Sequence, residues 1–378
     1  MNASAWNFSE HLDLLEQNLT NCSLDGGCYD RDLVSKVVKV VVPLFFGPIG
    51  ILGLVGNSLV VIVIALNPAM RSTTNLLIIN LAIADLLFVV FCIPFTAADF
   101  VLPHWPFGDL WCRIVQYLII VTACASVYTL VLMSLDRYLA VVHPVASMTV
   151  RTEHHAFLAI CIVWFVILTT SIPVLLIHGQ VGSIVIMIEH PRQLVAIGDS
   201  LTRQIYIQLQ GDEDPEKYIC RILPDVNWPL FQMTFFLLSY VIPLTLTCGL
   251  YVFMLIRLWR GVRASAESRR GRKKVTRLVI IVVAVFAICW FPIQLILVVK
   301  SLGSYPLTTT SIMIQIASHV MAYMNSCVNP ILYAFLSDNF RKAFRKIIYC
   351  RPRYQVSGTK GTGPLTKTTR AASSGDII

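Results

Sequence analysis

The chain has 378 residues, 56% of them hydrophobic and only 13% charged. Soluble domains carry about a quarter charged residues, so this composition, with a mean hydropathy of +0.71, excludes an ordinary water-soluble domain and points to lipid. The net charge of +9 is concentrated in short segments; it reads as a membrane-topology signal and an affinity for anionic lipid, not as a nucleic-acid interface.

Residues 1–39 form a polar tail. The first 36 residues hold six acids and two bases and lack the apolar core of a cleavable signal peptide, so the first span is expected to act as its own insertion signal. Four N-x-S/T sequons, at Asn2, Asn7, Asn18 and Asn21, make this tail a glycosylation substrate if it is extracellular; chance matches in a polar tail are the alternative. Cys22 and Cys28 can close a small ring.

A bilayer crossing needs roughly 20 apolar residues, and residues 40–336 contain seven such stretches. The first lies between Lys39 and Arg71. The others run over Thr74–Leu102, Leu110–Val142, Ala156–Ile177, Trp228–Ile256, Leu278–Val299 and Thr308–Phe335. Spans in lipid must satisfy their own backbone hydrogen bonds, which predicts an all-α membrane protein, a seven-helix bundle. Pro94, Pro173, Pro243, Pro292 and Pro330 each remove a backbone donor and are expected to kink their spans.

The loops set the orientation. The segment 178–228 holds seven acids and four bases, whereas 257–277 holds nine bases and one acid, and the chain after Leu336 holds nine bases and two acids. The excess of Lys and Arg places 257–277 and the C-terminus in the cytoplasm and the N-terminus outside, although Lys36 and Lys39 oppose it locally. Cys112, at the outer start of the third span, and Cys220, before the fifth, can pair in that oxidising compartment. Cys350 stands where palmitoylation is expected.

One acid, Asp85, falls in the middle of a span. Ser126, Asn325 and Asn329 can face it, and such a set of oxygens suits a sodium ion; a buried acid satisfied by amide donors and water is the reading that chemistry alone favours. Internal repeats of the kind transporters carry, a charged ring or carbonyl filter of a pore, and nucleophile or phosphate-loop motifs of an enzyme are not seen.

The motifs then accumulate in order: Gly56-Asn57, LAIAD ending at Asp85, WPFG at 105–108, Cys112, Asp136-Arg137-Tyr138, Trp164, Pro243, CWFP at 289–292 and NPILY at 329–333. Over about residues 40–350 the chain resembles the rhodopsin-like G-protein-coupled receptors. The resemblance implies a G-protein-facing switch at Asp136, Arg137 and Tyr138, a toggle beneath the ligand at Trp290 with Pro292, and an inner rearrangement motif at Asn329, Pro330 and Tyr333. It further implies a sodium pocket of Asp85, Ser126 and Asn325, and an outer Cys112–Cys220 disulfide. Residues 337–350 look like the family's membrane-surface helix, with Phe340, Phe344 and Ile348 four apart between basic residues.

Two absences narrow the ligand. Ile119 stands where amine receptors carry an aspartate, and Tyr323 where opsins carry the retinal lysine. More closely, CWFPIQLILVVKSL at 289–302 and the run 314–350 are similar to the galanin-receptor-like group, above all the arthropod A-type allatostatin receptors. The resemblance implies an amidated neuropeptide ending in Phe-Gly-Leu-amide, with galanin- or kisspeptin-type peptides as rivals, and signalling through inhibitory G proteins. A small-molecule receptor and a transporter or channel are the remaining alternatives.

Ligand contacts are expected at Asp99, Trp105, Gln116, Ile119, Gln294, Gln315, His319 and Tyr323, with Asp99 accepting a cationic group of the ligand. Expected partners are the extracellular peptide, a heterotrimeric G protein, membrane lipid, and a receptor kinase and arrestin acting on the Ser/Thr-rich tail 351–378; no cofactor beyond the sodium ion, no nucleic acid and no enzymatic activity are expected. The segment 183–208 is unlike the group and reads as a loop insert or a gene-model error. Since no acid lies between Ser268 and Arg277, Asp136 is expected to be the main restraint on Arg137.

Overall fold

Seven helices form a membrane-spanning bundle in the computed structural model, which describes residues 31–182, 218–223, 225–260, 266–306, 308–336 and 338–348. The sequons, Cys22, Cys28, Cys350, the segment 183–208 and the tail 351–378 lie outside the described residues. Span one is Arg31–Ala65. Span two is Thr73–Phe91 continued by Ile93–Val101, span three Gly108–Val142, and span four Glu153–Thr170 continued by Pro173–Ile177. Span five is Trp228–Phe236, a π-helical turn Leu237–Val241, and Ile242–Arg260. Spans six and seven are Ala266–Ser301 and Thr309–Leu336.

The first six are long and apolar enough to cross a membrane. Span seven is less so, because Gln315, Ser318, His319, Asn325, Ser326 and Asn329 fall along it. Four of these six side chains, Ser318, Asn325, Ser326 and Asn329, are buried, so they point into protein and not into lipid.

The proline positions locate the irregularities, but not in one uniform way. Span two breaks at Cys92, two residues before Pro94, and span four breaks before Pro173. Pro292 and Pro330 stay inside continuous helices. In span five the disturbance precedes Pro243 as the π turn, which inserts one residue and re-aims Ser239 and Tyr240 inward. The basic segment 257–277 is shorter as a loop than expected: span six extends back to Ala266, as its Arg- and Lys-rich composition permits.

Helices in lipid gain little from apolar burial, so close packing and polar bonds hold the bundle together. Span one shows both devices. A Cβ at Gly53 would lie 2.7 Å from Val89 and one at Gly56 would lie 3.1 Å from Pro330, so glycine permits the approach of spans two and seven. The neighbouring Asn57 then donates through Nδ2 to the carbonyls of Gly53 (2.9 Å) and Ser326 (2.8 Å). In mid-bundle, Asn80 donates to Thr129 at 2.7 Å and accepts from the Trp164 indole at 2.8 Å, joining spans two, three and four.

One end of the bundle is covered by an antiparallel hairpin, β1 His178–Gly182 and β2 Tyr218–Ile222, with Gln180 opposite Cys220. At the other end a short amphipathic helix, Asp338–Ile348, turns off span seven. Phe340 and Ala343 are buried there while Arg341, Lys342 and Arg345 are exposed.

Candidate functional site

The sequence-predicted residues fall into three tiers along the bundle axis. At the hairpin end, the Cys112–Cys220 disulfide is formed, with its Cα atoms 5.6 Å apart. It pins β2 to the start of span three. Around it the hairpin is fastened by its backbone: Trp105 N donates to Tyr218 O at 2.8 Å, Gln180 N donates to Asp109 Oδ1 at 2.8 Å, and Gln180 Nε2 donates to Trp105 O at 3.2 Å. A Cβ on Gly179 would come within 2.8 Å of Asp109 Oδ1, so a larger residue there would push against the carboxylate that holds Gln180 N.

Two expected ligand contacts are otherwise engaged. Trp105 is buried against Cys112, Val115 and Cys220 and donates its indole N–H to Gly108 O at 3.0 Å; it supports the hairpin instead of facing a ligand. Asp99, expected to take a ligand's cationic group, accepts from Arg221 Nη1 at 3.0 Å. The cation comes from the chain itself, carried across by β2. Gln116 lies under the disulfide, its Nε2 3.8 Å from Cys220 Sγ, and Ile119 packs between the two apolar clusters of this end.

Of the remaining four, Gln294 on span six faces span five, whereas Gln315, His319 and Tyr323 on span seven face spans six, two and one. Gln315 accepts from Lys300 Nζ at 3.5 Å. His319, one turn below, sets its ring 5.2 Å from Phe100 and 5.8 Å from Tyr323. Tyr323 is buried edge-on against Phe46 (5.0 Å) and Phe88 (5.1 Å). Gln294 is buried, donates to Ser239 Oγ at 3.1 Å, and leaves its Oε1 without a partner. A buried acceptor left open costs free energy, and here it is offered at the level where a ligand's donor would arrive.

The middle tier begins at Trp290, whose ring lies 6.3 Å from Phe88 and 6.0 Å from Phe286 and whose indole N–H has no partner. Asp85 is fully buried. It accepts from Ser126 Oγ at 3.1 Å and from Asn329 Nδ2 at 2.9 Å. Ser126 and Asn329 thus face Asp85 as expected from sequence, and Asn329 belongs both to this polar cluster and to the inner motif. Asn325 Oδ1 is buried with no partner. A buried carboxylate with a hydroxyl on it, and an unpartnered amide oxygen one turn before Asn329 on span seven, is a set of oxygen donors of the kind a hard cation takes, so the chemistry of these residues fits a sodium ion. Tyr333, also buried and with its hydroxyl unpartnered, lies 6.0 Å from Phe340 of the surface helix.

The third tier is at the far end. Asp136 is buried and accepts from Arg137 Nη2 at 2.7 Å, as the sequence suggested. It also accepts from Arg151 Nε at 2.7 Å and Nη2 at 3.2 Å, and from Thr74 Oγ1 at 2.9 Å. One carboxylate thus serves two guanidiniums. Arg151 follows the helix Pro144–Val150, which turns the chain back beneath span three; sequence reading missed it, because a separation of 15 residues from Asp136 gives no local signal. Tyr138 turns its ring toward His143, at 5.8 Å. Arg137 Nε remains buried without a partner.

Comparison with known proteins places this geometry. The profile of the 7 transmembrane receptor (rhodopsin family) matches residues 56–184 and 194–333. A protein named Allatostatin-A receptor, from Bombyx mori, is 57% identical over 353 residues, covering 93% of this chain and 91% of that protein. Galanin receptor type 2 of Mus musculus is 38% identical, covering 82% of this chain and 76% of its own length. Galanin receptor type 1 of Homo sapiens is 36% identical, covering 85% and 84%.

Proposed function

The chain belongs to the rhodopsin family of seven-transmembrane receptors, and from that premise we propose that it is a neuropeptide receptor activated by allatostatin A-type amidated peptides. The observation that carries the ligand class is the 57% identity, over nearly the whole length of both chains, to a protein named Allatostatin-A receptor. An amine ligand is disfavoured on chemistry, since Ile119 offers no counter-ion and Asp99 is already paired with Arg221.

The protein is a multi-pass membrane receptor. Its hairpin end faces outward at the plasma membrane in our reading, because the disulfide needs an oxidising compartment and the basic segment 257–277 favours the cytoplasm. A peptide entering beside the hairpin meets Gln315, His319, Tyr323 and the open Oε1 of Gln294. Contacts made better in one arrangement of spans six and seven than in another shift the population toward it.

Span seven gives Asn329 to Asp85 and span six sets Trp290 against Phe88, three residues from Asp85 on span two, so movement of the two spans alters that cluster. A sodium ion held by Asp85, Ser126 and Asn325 would favour the resting arrangement. At the cytoplasmic end Arg137 leaves Asp136 to engage an inhibitory-type heterotrimeric G protein. A receptor kinase and arrestin act afterwards on the Ser/Thr-rich tail.

A galanin-type ligand is the second reading, favoured by the 36–38% identity to galanin receptors. The test is a concentration series of Phe-Gly-Leu-amide peptides and of galanin-like peptides on cells expressing the full chain, read as inhibition of cyclic AMP. Nanomolar-range responses to the former alone support the reading; responses to the latter alone reassign the ligand, and silence to both rejects a peptide receptor of either type.

A further inference from the structure

Among the described residues at the hairpin end, the carboxylates Asp99 and Asp109 are both taken by arginines. Asp109 is spent on Arg113, at 2.7 Å, and on the Gln180 backbone. Asp99 is spent on Arg221, at 3.0 Å, and Arg221 Nη1 also reaches Cys220 O at 3.1 Å. Lys300, at the end of span six, lies within electrostatic reach of both Asp99 and Arg221 and of His319 below it. Among the described residues no carboxylate comes within ion-pair distance of its ammonium. Its hydrogen-bond partner is the neutral Gln315 Oε1, at a long 3.5 Å.

An ammonium carries three donors. Held between spans six and seven and partly withdrawn from water, it needs acceptors that the surrounding protein supplies only in part. Gln315 and His319 are one turn apart on span seven, so the Lys300 ammonium stands above the residues that the peptide-receptor reading gives to the ligand.

We infer that Lys300 is a specificity-determining contact of the ligand: its ammonium, steered by Gln315, takes an oxygen acceptor of the bound peptide. This rests on the peptide-receptor reading. It also reverses the sign expected from sequence, where Asp99 was to receive a cation. The acceptor is a backbone or carboxamide carbonyl, or a carboxylate side chain; both present the same oxygen chemistry to Lys300 and differ in charge.

The experiment uses the full chain in cells with a peptide ending in Phe-Gly-Leu-amide as probe, and scores potency, maximal response and surface expression together. Lys300→Met, which keeps length and removes the donors, should lower potency about 10- to 100-fold, the range for a hydrogen bond from a charged group. Maximal response and surface expression should be kept, and Lys300→Arg should restore most of the potency. Lys300→Gln separates the two sources: near-wild-type potency identifies a carbonyl, whereas a loss equal to that of Lys300→Met, with a wild-type potency that weakens as salt rises, identifies a carboxylate. Wild-type potency in Lys300→Met overturns the contact while leaving the receptor reading intact. A wild-type chain silent to every peptide overturns the receptor reading and the contact with it.

Discussion

Replacing Asp136 with Asn tests how the resting state is held. The carboxylate is 7% exposed and accepts from Arg137, Arg151 and Thr74. In the proposed activation Arg137 alone is released and the bonds of Asp136 to Arg151 and Thr74 are kept, so only the Arg137 bond would distinguish the two states. A charge-assisted bond of this kind is worth about 1.5–3 kcal/mol net. An Asn carbonyl retains part of it, which leaves a differential of about 1.4 kcal/mol, or a factor of about ten. If the active arrangement is about 1% populated without ligand, within the usual range for a minor state, Asp136→Asn raises it to about 10%. The assay is agonist-free nucleotide exchange on an inhibitory-type G protein in membranes with matched surface expression. Unchanged basal exchange would refute the reasoning, because it would mean that the Asp136–Arg137 bond costs nothing to leave.

The remaining expectations share the same structural logic. Arg151→Gln removes the competing guanidinium and leaves the Asp136 carboxylate to Arg137 and Thr74, and should lower basal exchange and weaken agonist potency severalfold; a rise in basal exchange would show instead that Arg151 helps to hold the resting state. Asp85→Asn should abolish any dependence of agonist affinity on sodium, measured by replacing sodium with a large organic cation; a persisting sodium effect would place the ion elsewhere. His178, at the base of β1, is buried, which pushes its imidazole from 6.5 down to about 4 despite the hydrogen bond to Val174 O. The folded state therefore binds fewer protons than the unfolded one, so thermal stability should fall as pH drops from about 6.5 toward 4, by up to about 3 kcal/mol at the acid limit. His178→Gln should flatten that part of the profile, and an identical slope in wild type and variant would remove His178 as its source.

The spans were legible because length and apolarity are set by the bilayer, and the motif residues because each fell on its expected span. What was not legible depends on partners distant in sequence. Asp99 looked free until β2 brought Arg221 to it across 122 residues. Lys300, a basic residue at a helix end where long side chains reach for the interface, carries no local signal; among the described residues, the pairing of Asp99 and Asp109 with other cations makes it stand out. Trp105 carried a motif signal, but its role is set by the hairpin register that surrounds it. The π turn in span five was hidden because Pro243 marks a disturbance without fixing its form.

The account claims that one chain joins peptide binding at the hairpin end to G-protein activation at the other through Arg137. The most direct measurement follows both events in the same membranes for wild type and Arg137→Ala: binding of a labelled Phe-Gly-Leu-amide peptide, and peptide-stimulated nucleotide exchange. The account predicts that Arg137→Ala keeps peptide binding within a few-fold and loses the exchange. Stimulated exchange that survives the substitution at equal expression would contradict it.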